Sequence, residues 1–513
     1  MKWRDEKSLK NMQRLTVIRW LVLGYLCLFL LTSCSFTNSS TTGKTLTVAV
    51  EPTFPPFEFQ SATGELQGFD VDLIQAIAQS ANFKVKYQNM PFAGMIPALQ
   101  TQTVDAAVAA MTITAERVKI ISFSRPYFKS GLAIATRTDN QNITNFDNLK
   151  NKIIGVQIGT TGALKAKNIP GAEIRTFNDS PLTLQALING NVDAVLNDQV
   201  VILYGIKSGD LKRLKIVSSL LTEEFYGIPT PKGSPNLDLI NQGLATVLKN
   251  GTYAKIYQKW FGTQPPQLPE KSPIENEIPK KGVSELFTSL NIIFKSLPVL
   301  LDGALVTLEL TTFSVLLGIV GGSLIGIVRL SRIALLRFCA AAYVDFFRGT
   351  PLLVQIFMIY FGLPAFTQSF GFTFNLNRLA AAVIALSLNS AAYIAEIVRA
   401  GIQSIDPGQA EASQSLGLSS VQTMRYVIFP QALRRMLPPL GNQFISLLKD
   451  TSLVAIIGFE ELFRKGQLIV AENYRSFEIY ASVALVYLFM TLFFSQAFNR
   501  WERSLNPFKK QSK

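Results

Sequence analysis

The residue types that carry chemistry are unevenly supplied in this chain. Its 513 residues include no histidine. Ser-His-Asp and Cys-His centres and most zinc sites need an imidazole as base or ligand, so those chemistries are excluded within the chain and no metal site is expected. The cysteines are Cys27, Cys34 and Cys339; none falls between residues 44 and 280, so that stretch has no disulfide framework. Gly43-Lys44-Thr45 has the ending of a phosphate-cradling loop, but the glycine that such a loop needs upstream is replaced by Asn38. The tripeptide also precedes a strand pattern instead of following one, so no ATP site is expected. Gly318, Gly322 and Gly326 recur every four residues within an apolar run. That spacing reads as close helix packing, since no strand precedes it as a dinucleotide turn requires. Glu309 and Glu396 lie in or near apolar runs. Such carboxylates either line a transport pathway or pair structurally at a helix interface, and the sequence leaves both open.

Two kinds of element must hold these groups. Charged residues are 16% of the chain and hydrophobic ones 48%, against about 25% charged in soluble chains, so part of the chain is expected in a membrane. The net charge of +14 collects in residues 1–19, Arg329–Arg337, Arg399–Lys449 and residues 500–513. Each cluster flanks an apolar run, which marks cytoplasmic ends of membrane segments and not a nucleic-acid surface. Trp20–Leu31 is uncharged but short for a span, and suits the core of a signal peptide over residues 1–34. Its ending, Leu31-Thr32-Ser33-Cys34, resembles the lipobox of bacterial lipoproteins, which implies cleavage before Cys34 and lipid attachment there.

Residues 44–262 alternate strand patterns (Leu46–Val50, Val104–Ala109, Ile153–Gln157) with helical ones such as Phe69–Ser80, which predicts an α/β domain with parallel sheets. Residues 263–283 are proline-rich and read as a linker. Residues 284–505 read as a membrane domain. Leu286 to Leu297 form an apolar stripe expected to lie on the membrane surface. Five spans are expected at Gly303–Val328, Phe338–Leu363, Leu379–Val398, Pro438–Phe459 and Ile479–Phe498. Pro438–Phe459 is the weakest, because it carries Lys449 and Asp450. With the α/β domain exported, five spans put every basic cluster of the membrane domain inside, whereas four would strand the C-terminal cluster outside.

Two resemblances cover most of the chain. Val48-Ala49-Val50-Glu51, Pro56-Phe57-Glu58-Phe59, Gly68-Phe69-Asp70-Val71-Asp72-Leu73, Met111-Thr112-Ile113-Thr114-Ala115-Glu116-Arg117 and Gly251-Thr252-Tyr253 resemble the periplasmic polar-amino-acid-binding proteins. That resemblance implies a two-lobed α/β Venus-flytrap domain closing on one amino acid. Within it, Arg117 matches the partner of the ligand carboxylate, a role suited to a planar bidentate guanidinium, with Ala110, Thr112 and Thr161 around it. Asp198 matches the partner of the ammonium, Phe54 and Phe92 the aromatic residues holding the side-chain stem, and Glu51 the acid at its far end. Gln157 stands where the glutamine binder has lysine, and Thr161 resembles the basic-amino-acid binders. An acid at position 51 and a lost lysine favour cationic ligands, so basic amino acids are expected, with glutamine also accepted.

Phe347-Arg348-Gly349-Thr350-Pro351-Leu352, and Glu411-Ala412-Ser413-Gln414-Ser415-Leu416-Gly417 followed by Pro430, resemble the permease subunits of amino-acid ABC transporters. This implies an all-α transmembrane domain of the MetI-like permease fold. In that family the loop carrying Glu411, Ala412, Ser413 and Gly417 docks into an ATPase subunit. The resemblances together imply a multi-pass protein of the bacterial plasma (inner) membrane, with its binding domain on the periplasmic or extracellular side. It would be a non-enzymatic importer component with no cofactor of its own, two copies pairing and each meeting one ABC ATP-binding subunit that holds ATP and Mg. A ligand-gated channel on the same fold is disfavoured: both lobes precede the first span, and no T-V-G-Y-G-like filter is present.

Overall fold

Thr45–Val50 (β1) is buried on both faces from Val48 onward, as a parallel strand between helical layers must be. It pairs in parallel with Lys84–Asn89 (β2) and Ala106–Ala107 (β3). The computed structural model in which this is seen describes residues 44–208, 211–217, 220–271, 285–370 and 376–505. The signal segment with Cys34 and most of the linker fall outside those residues. The strand expected over Val104–Ala109 narrows to β3. Phe69–Ser80 (α1) covers the sheet with Phe69, Leu73, Ile74 and Ile77 turned inward. It starts at Gly68, with φ 142°, where a Cβ would collide with the Phe57 carbonyl, so this step requires glycine. Phe92–Gln100 (α2) and Ala115–Ile120 (α3) complete the first lobe.

Phe128–Ser130 (β4) leads into the second lobe, whose strands are Leu132–Arg137 (β5), Ile153–Gln157 (β6), Glu173–Phe177 (β7), Ala194–Asp198 (β8) and Leu214–Ile216 (β9). Their order is β7-β6-β8-β5-β9, with β7, β6 and β8 parallel, β5 antiparallel to β8, and β9 antiparallel to β5. Thr161–Lys167 (α4) follows β6. Glu224–Tyr226 (β10) brings the chain back, paired antiparallel with β4. These two strands form the hinge. Two later helices, Asn236–Lys249 and Thr252–Phe261, bury Ile240, Leu244 and Tyr253 with Phe69 and Ile74 in the first lobe's core.

The membrane domain is helical. Glu285–Val328 (α5) is one continuous helix through Pro298. The separate surface helix expected over Leu286–Leu297 is therefore corrected. Proline removes one hydrogen bond, but Leu300 and Ala304 just beyond it pack against Leu462 and Ile479 and hold the helix together. The expected single span Phe338–Leu363 is also corrected. It consists of Ala334–Gly349 (α6) and a second helical stretch starting with Leu352–Phe357 (α7), bent by 105°. Pro351 forces the preceding Thr350 into extended backbone, and the Gln355 amide donates to the freed carbonyls of Phe347 and Thr350. Arg378–Gln403 (α8), Pro407–Ser415 (α9), Phe429–Asp450 (α10), Leu462–Asn473 (α11) and Ser476–Leu505 (α12) follow.

By length and composition, 3 of the described helices can cross a membrane, or 4 counting the bent pair as one span. α10 does not meet that test, yet it packs against α5, α8 and α12. The glycine stripe does what its spacing suggested: Gly318, Gly322 and Gly326 face Ser390, Ala391 and Ala395 of α8 so closely that a Cβ on any of them would sit within 3.0 Å of that helix.

The second lobe rests on the helical domain. Phe177 and Leu184 share one apolar cluster with Ile356, Tyr360 and Ile457. Arg464 is fully buried, and its guanidinium donates to Asn178 Oδ1 (2.7 Å) and Thr176 Oγ1 (2.8 Å). Arg378 pairs with Glu173 at 3.0 Å, and Glu472 pairs with Lys167. Tyr474, just past α11, packs on the first lobe's Phe92–Met111 core.

Candidate functional site

The carboxyl ends of parallel strands are where open α/β sheets present ligand-contacting groups. Glu51 follows β1, Gln157 ends β6 and Asp198 ends β8. These residues, with Phe54, Phe92, Ala110, Thr112, Arg117 and Thr161, line one cleft between the lobes, so all nine expected positions come together. The cleft is closed. Gln157 Nε2 donates to Glu51 Oε2 at 2.8 Å, and Arg117 Nη2 donates to the Gly159 carbonyl at 2.9 Å, both across the lobes. Its remaining cavity is about 20 Å³, room for one water, so a larger ligand enters only when the lobes part.

Arg117 is 1% exposed. Its Nη1 donates to the Thr112 carbonyl at 2.6 Å and it lies 5.4 Å from the Phe92 ring centroid. Its guanidinium bonds are to carbonyls, and it forms no ion pair among the described residues. An unneutralised buried guanidinium is costly unless an anion arrives. The rest of the cleft is acidic. Burial pushes Glu51 up to about 7, against the hydrogen bond from Gln157. Burial, and then the neighbouring Glu224 charge, push Asp198 up to about 7. Both carboxyls are thus poised to ionise when a cation is placed beside them.

Behind the cleft, Asp70 Oδ2 accepts from the Ala110 N–H (2.9 Å) and the Tyr127 hydroxyl (2.7 Å), fixing Ala110 at φ 45°. Burial raises Asp70 to about 6, while burial and then Asp70 itself raise Glu58 well above the usual carboxylate range. The two support the loop from behind. Sequence reading quoted Glu58 and Asp70 only as motif letters and missed this role. It missed Glu224 altogether, which accepts from the hydroxyls of Thr112 (2.7 Å) and Thr161 (2.9 Å); nothing in its sequence surroundings signals a link across the hinge.

On the helical side, Glu411, Ala412 and Ser413 lie on α9, capped by Asp406. Ser413 is buried, its hydroxyl donating to Thr423 Oγ1 at 3.0 Å. Glu411 and Ala412 are exposed. Gly417 has φ 84° and no atom within 4 Å of where its Cβ would be. Leu416, Val421 and Tyr426 are exposed around it, an apolar patch of the kind that meets a partner. Glu396 pairs with Arg329 and Arg399, and Arg348 stands 3.9 Å away. Glu309 is exposed on α5 and joins no such pair among the described residues.

Comparison with known proteins follows this division. Residues 46–263 match the bacterial extracellular solute-binding proteins, family 3, and residues 314–510 match the binding-protein-dependent transport system inner membrane component. The glutamine transport system permease protein GlnP of Escherichia coli (strain K12) is 44% identical over 214 residues, 42% of this chain and 95% of that one. The chain belongs to this family of transport permeases. A probable amino-acid permease protein, YxeN of Bacillus subtilis (strain 168), is 39% identical over 42% of the chain and 94% of its own length. Among solved structures, an ancestral arginine-binding protein bound to arginine is 42% identical, with TM-score 0.42, over 43% of this chain and all of that one. The permease thus carries its solute-binding domain in the same polypeptide, and is an amino-acid ABC transporter component of the inner membrane with several membrane-crossing helices.

Proposed function

We propose that this chain is the receptor and permease half of an ATP-driven importer of basic amino acids that also takes glutamine. The observation that carries this is Arg117, a buried cation without an ion-pair partner, in a cleft otherwise lined by Glu51 and Asp198. A free amino acid answers each group, its carboxylate to Arg117, its ammonium to Asp198 and a cationic or amide tip to Glu51. The arginine-binding and glutamine-transport relatives agree with that choice.

The second lobe, seated on Arg464 and Arg378, holds the receptor over the membrane domain. There a cavity of about 530 Å³, lined by Arg348, Thr350, Asn389, Gln443, Lys449 and Asp450, offers polar groups for half a pathway. A second copy would complete it. ATP hydrolysis falls to a separate ATPase, which would bind at the α9 patch, with α9 cytoplasmic and the receptor outside.

Calorimetry on the full chain in lipid nanodiscs tests the reading. Arginine, lysine and glutamine are expected to bind. Arg117→Ala is expected to weaken each by roughly 30-fold or more, since stripping one side of a buried charge pair costs about 2–5 kcal/mol. A change under about threefold would remove Arg117 from the site.

A further inference from the structure

We propose that Glu224 is a second carboxylate partner of the ligand's α-ammonium, held on the Thr112 and Thr161 hydroxyls until the ligand arrives; this rests on the amino-acid reading above. Glu224 is buried on the hinge strand β10. Its Oε2 accepts from Thr112 Oγ1 at 2.7 Å and from Thr161 Oγ1 at 2.9 Å, so one oxygen is tied to both lobes. Its Oε1 accepts from Thr222 Oγ1 at 2.9 Å.

A ligand carboxylate seated at Arg117 comes within reach of the Thr112 hydroxyl, because the same guanidinium already donates to the Thr112 carbonyl at 2.6 Å. A hydroxyl has one hydrogen to donate. Each threonine that turns to the ligand therefore takes one of the two donors from Glu224 Oε2, and a buried carboxylate stripped of donors is costly. The ligand brings the replacement. Its ammonium is attached to the same carbon as its carboxylate and carries three N–H donors. Asp198, close enough to Glu224 for their charges to interact, has a buried Oδ1 that lies outside hydrogen-bonding geometry with every donor among the described residues, the neighbouring Tyr226 hydroxyl included. Two carboxylates then share three donors, and the exchange balances: hydroxyls move from Glu224 to the ligand carboxylate, and the ammonium moves onto Glu224 and Asp198.

A thermodynamic cycle separates this from a role in hinge architecture alone. Arginine and 5-guanidinopentanoic acid, which lacks only the α-amino group, are titrated against the wild-type full chain and Glu224→Gln in nanodiscs. Glu224→Gln is expected to weaken arginine by about tenfold or more and the des-amino analogue by less than about threefold. Equal losses for both ligands, or an unchanged arginine affinity, would overturn the proposal and leave Glu224 a hinge latch. Should Glu224→Gln melt below the assay temperature, Glu224→Asp carries the same comparison, with the larger loss again expected on arginine. Wild-type chain that binds neither ligand, nor lysine or glutamine, would remove the amino-acid reading itself and this proposal with it.

Discussion

At the scale of single residues, the cleft is a set of charges kept out of balance. Glu51 and Asp198 both stand at about 7, pushed up first by burial. A cationic tip beside Glu51 and an ammonium beside Asp198 favour the ionised forms. Binding therefore releases protons, and affinity rises with pH until both carboxyls are ionised without help, above about 7. Between pH 7.5 and 5.5 each carboxyl coupled to a ligand charge is expected to cost roughly 20-fold in affinity. Arginine engages both and glutamine only Asp198, so the arginine profile should be the steeper. Titrations across that range check this, and Glu51→Gln should make the two profiles parallel. Profiles that are parallel in the wild type would mean that Glu51 does not face the tip.

At the scale of elements, two glycines separate packing from partner contact. A Cβ on Gly322 would lie 2.6 Å from the Ala391 carbonyl and 2.8 Å from the Ile394 Cβ. Gly322→Leu must push α5 off α8, and overpacking of this kind costs about 1–3 kcal/mol. The expected outcome is a lower melting temperature for the membrane domain with ligand affinity unchanged, read by thermal shift and calorimetry on one preparation. A wild-type melt would show that the helices separate without cost. Gly417 is the opposite case, with open space around it and a positive φ. Gly417→Phe places bulk where a partner would sit and also strains the left-handed backbone, while Gly417→Asn keeps a residue tolerant of that backbone. Uptake into vesicles supplied with the ATPase is expected to fall at least about tenfold for Phe and to survive for Asn. Equal uptake in both would take the α9 loop out of coupling.

At the scale of the whole molecule, the receptor is anchored by its second lobe. Arg464, Arg378 and Glu472 all bond that lobe, whereas Tyr474 touches the first. A cavity of about 20 Å³ cannot admit an amino acid, so the first lobe must swing away at the β4–β10 hinge, giving up Tyr474. Arg464→Met keeps the stem and removes the bonds to Thr176 and Asn178. It is expected to leave ligand affinity within about twofold and to cut uptake by about tenfold, because Arg464 is not among the cleft residues and reaches Gln157 only through Asn178. Uptake at the wild-type level would make the anchor incidental, and a parallel fall in affinity would show that it shapes the cleft.

Much of this architecture was legible in local pattern. Phe69–Ser80 and Ile153–Gln157 take the bounds that their periodicity predicted, because burial on one helical face or within a parallel sheet writes itself into neighbouring residues. The Gly318, Gly322 and Gly326 stripe showed its close contact in the same way. The nine cleft positions came from motif resemblance, and the fold brought them together. What stayed hidden depends on residues distant in sequence. Phe338–Leu363 reads as one span through Pro351, whereas the 105° bend there is held by Gln355 turning back onto Phe347. Nothing in its sequence surroundings marks Arg464, which the fold buries against Thr176 and Asn178, nearly three hundred residues earlier. Glu224 carried no local signal, since its partners Thr112 and Thr161 lie in other elements of the cleft. Periodicity reports which face of an element is buried; only the tertiary structure decides which charges meet there, because an ion pair or a shared hydroxyl depends on positions in space and leaves no period in the chain.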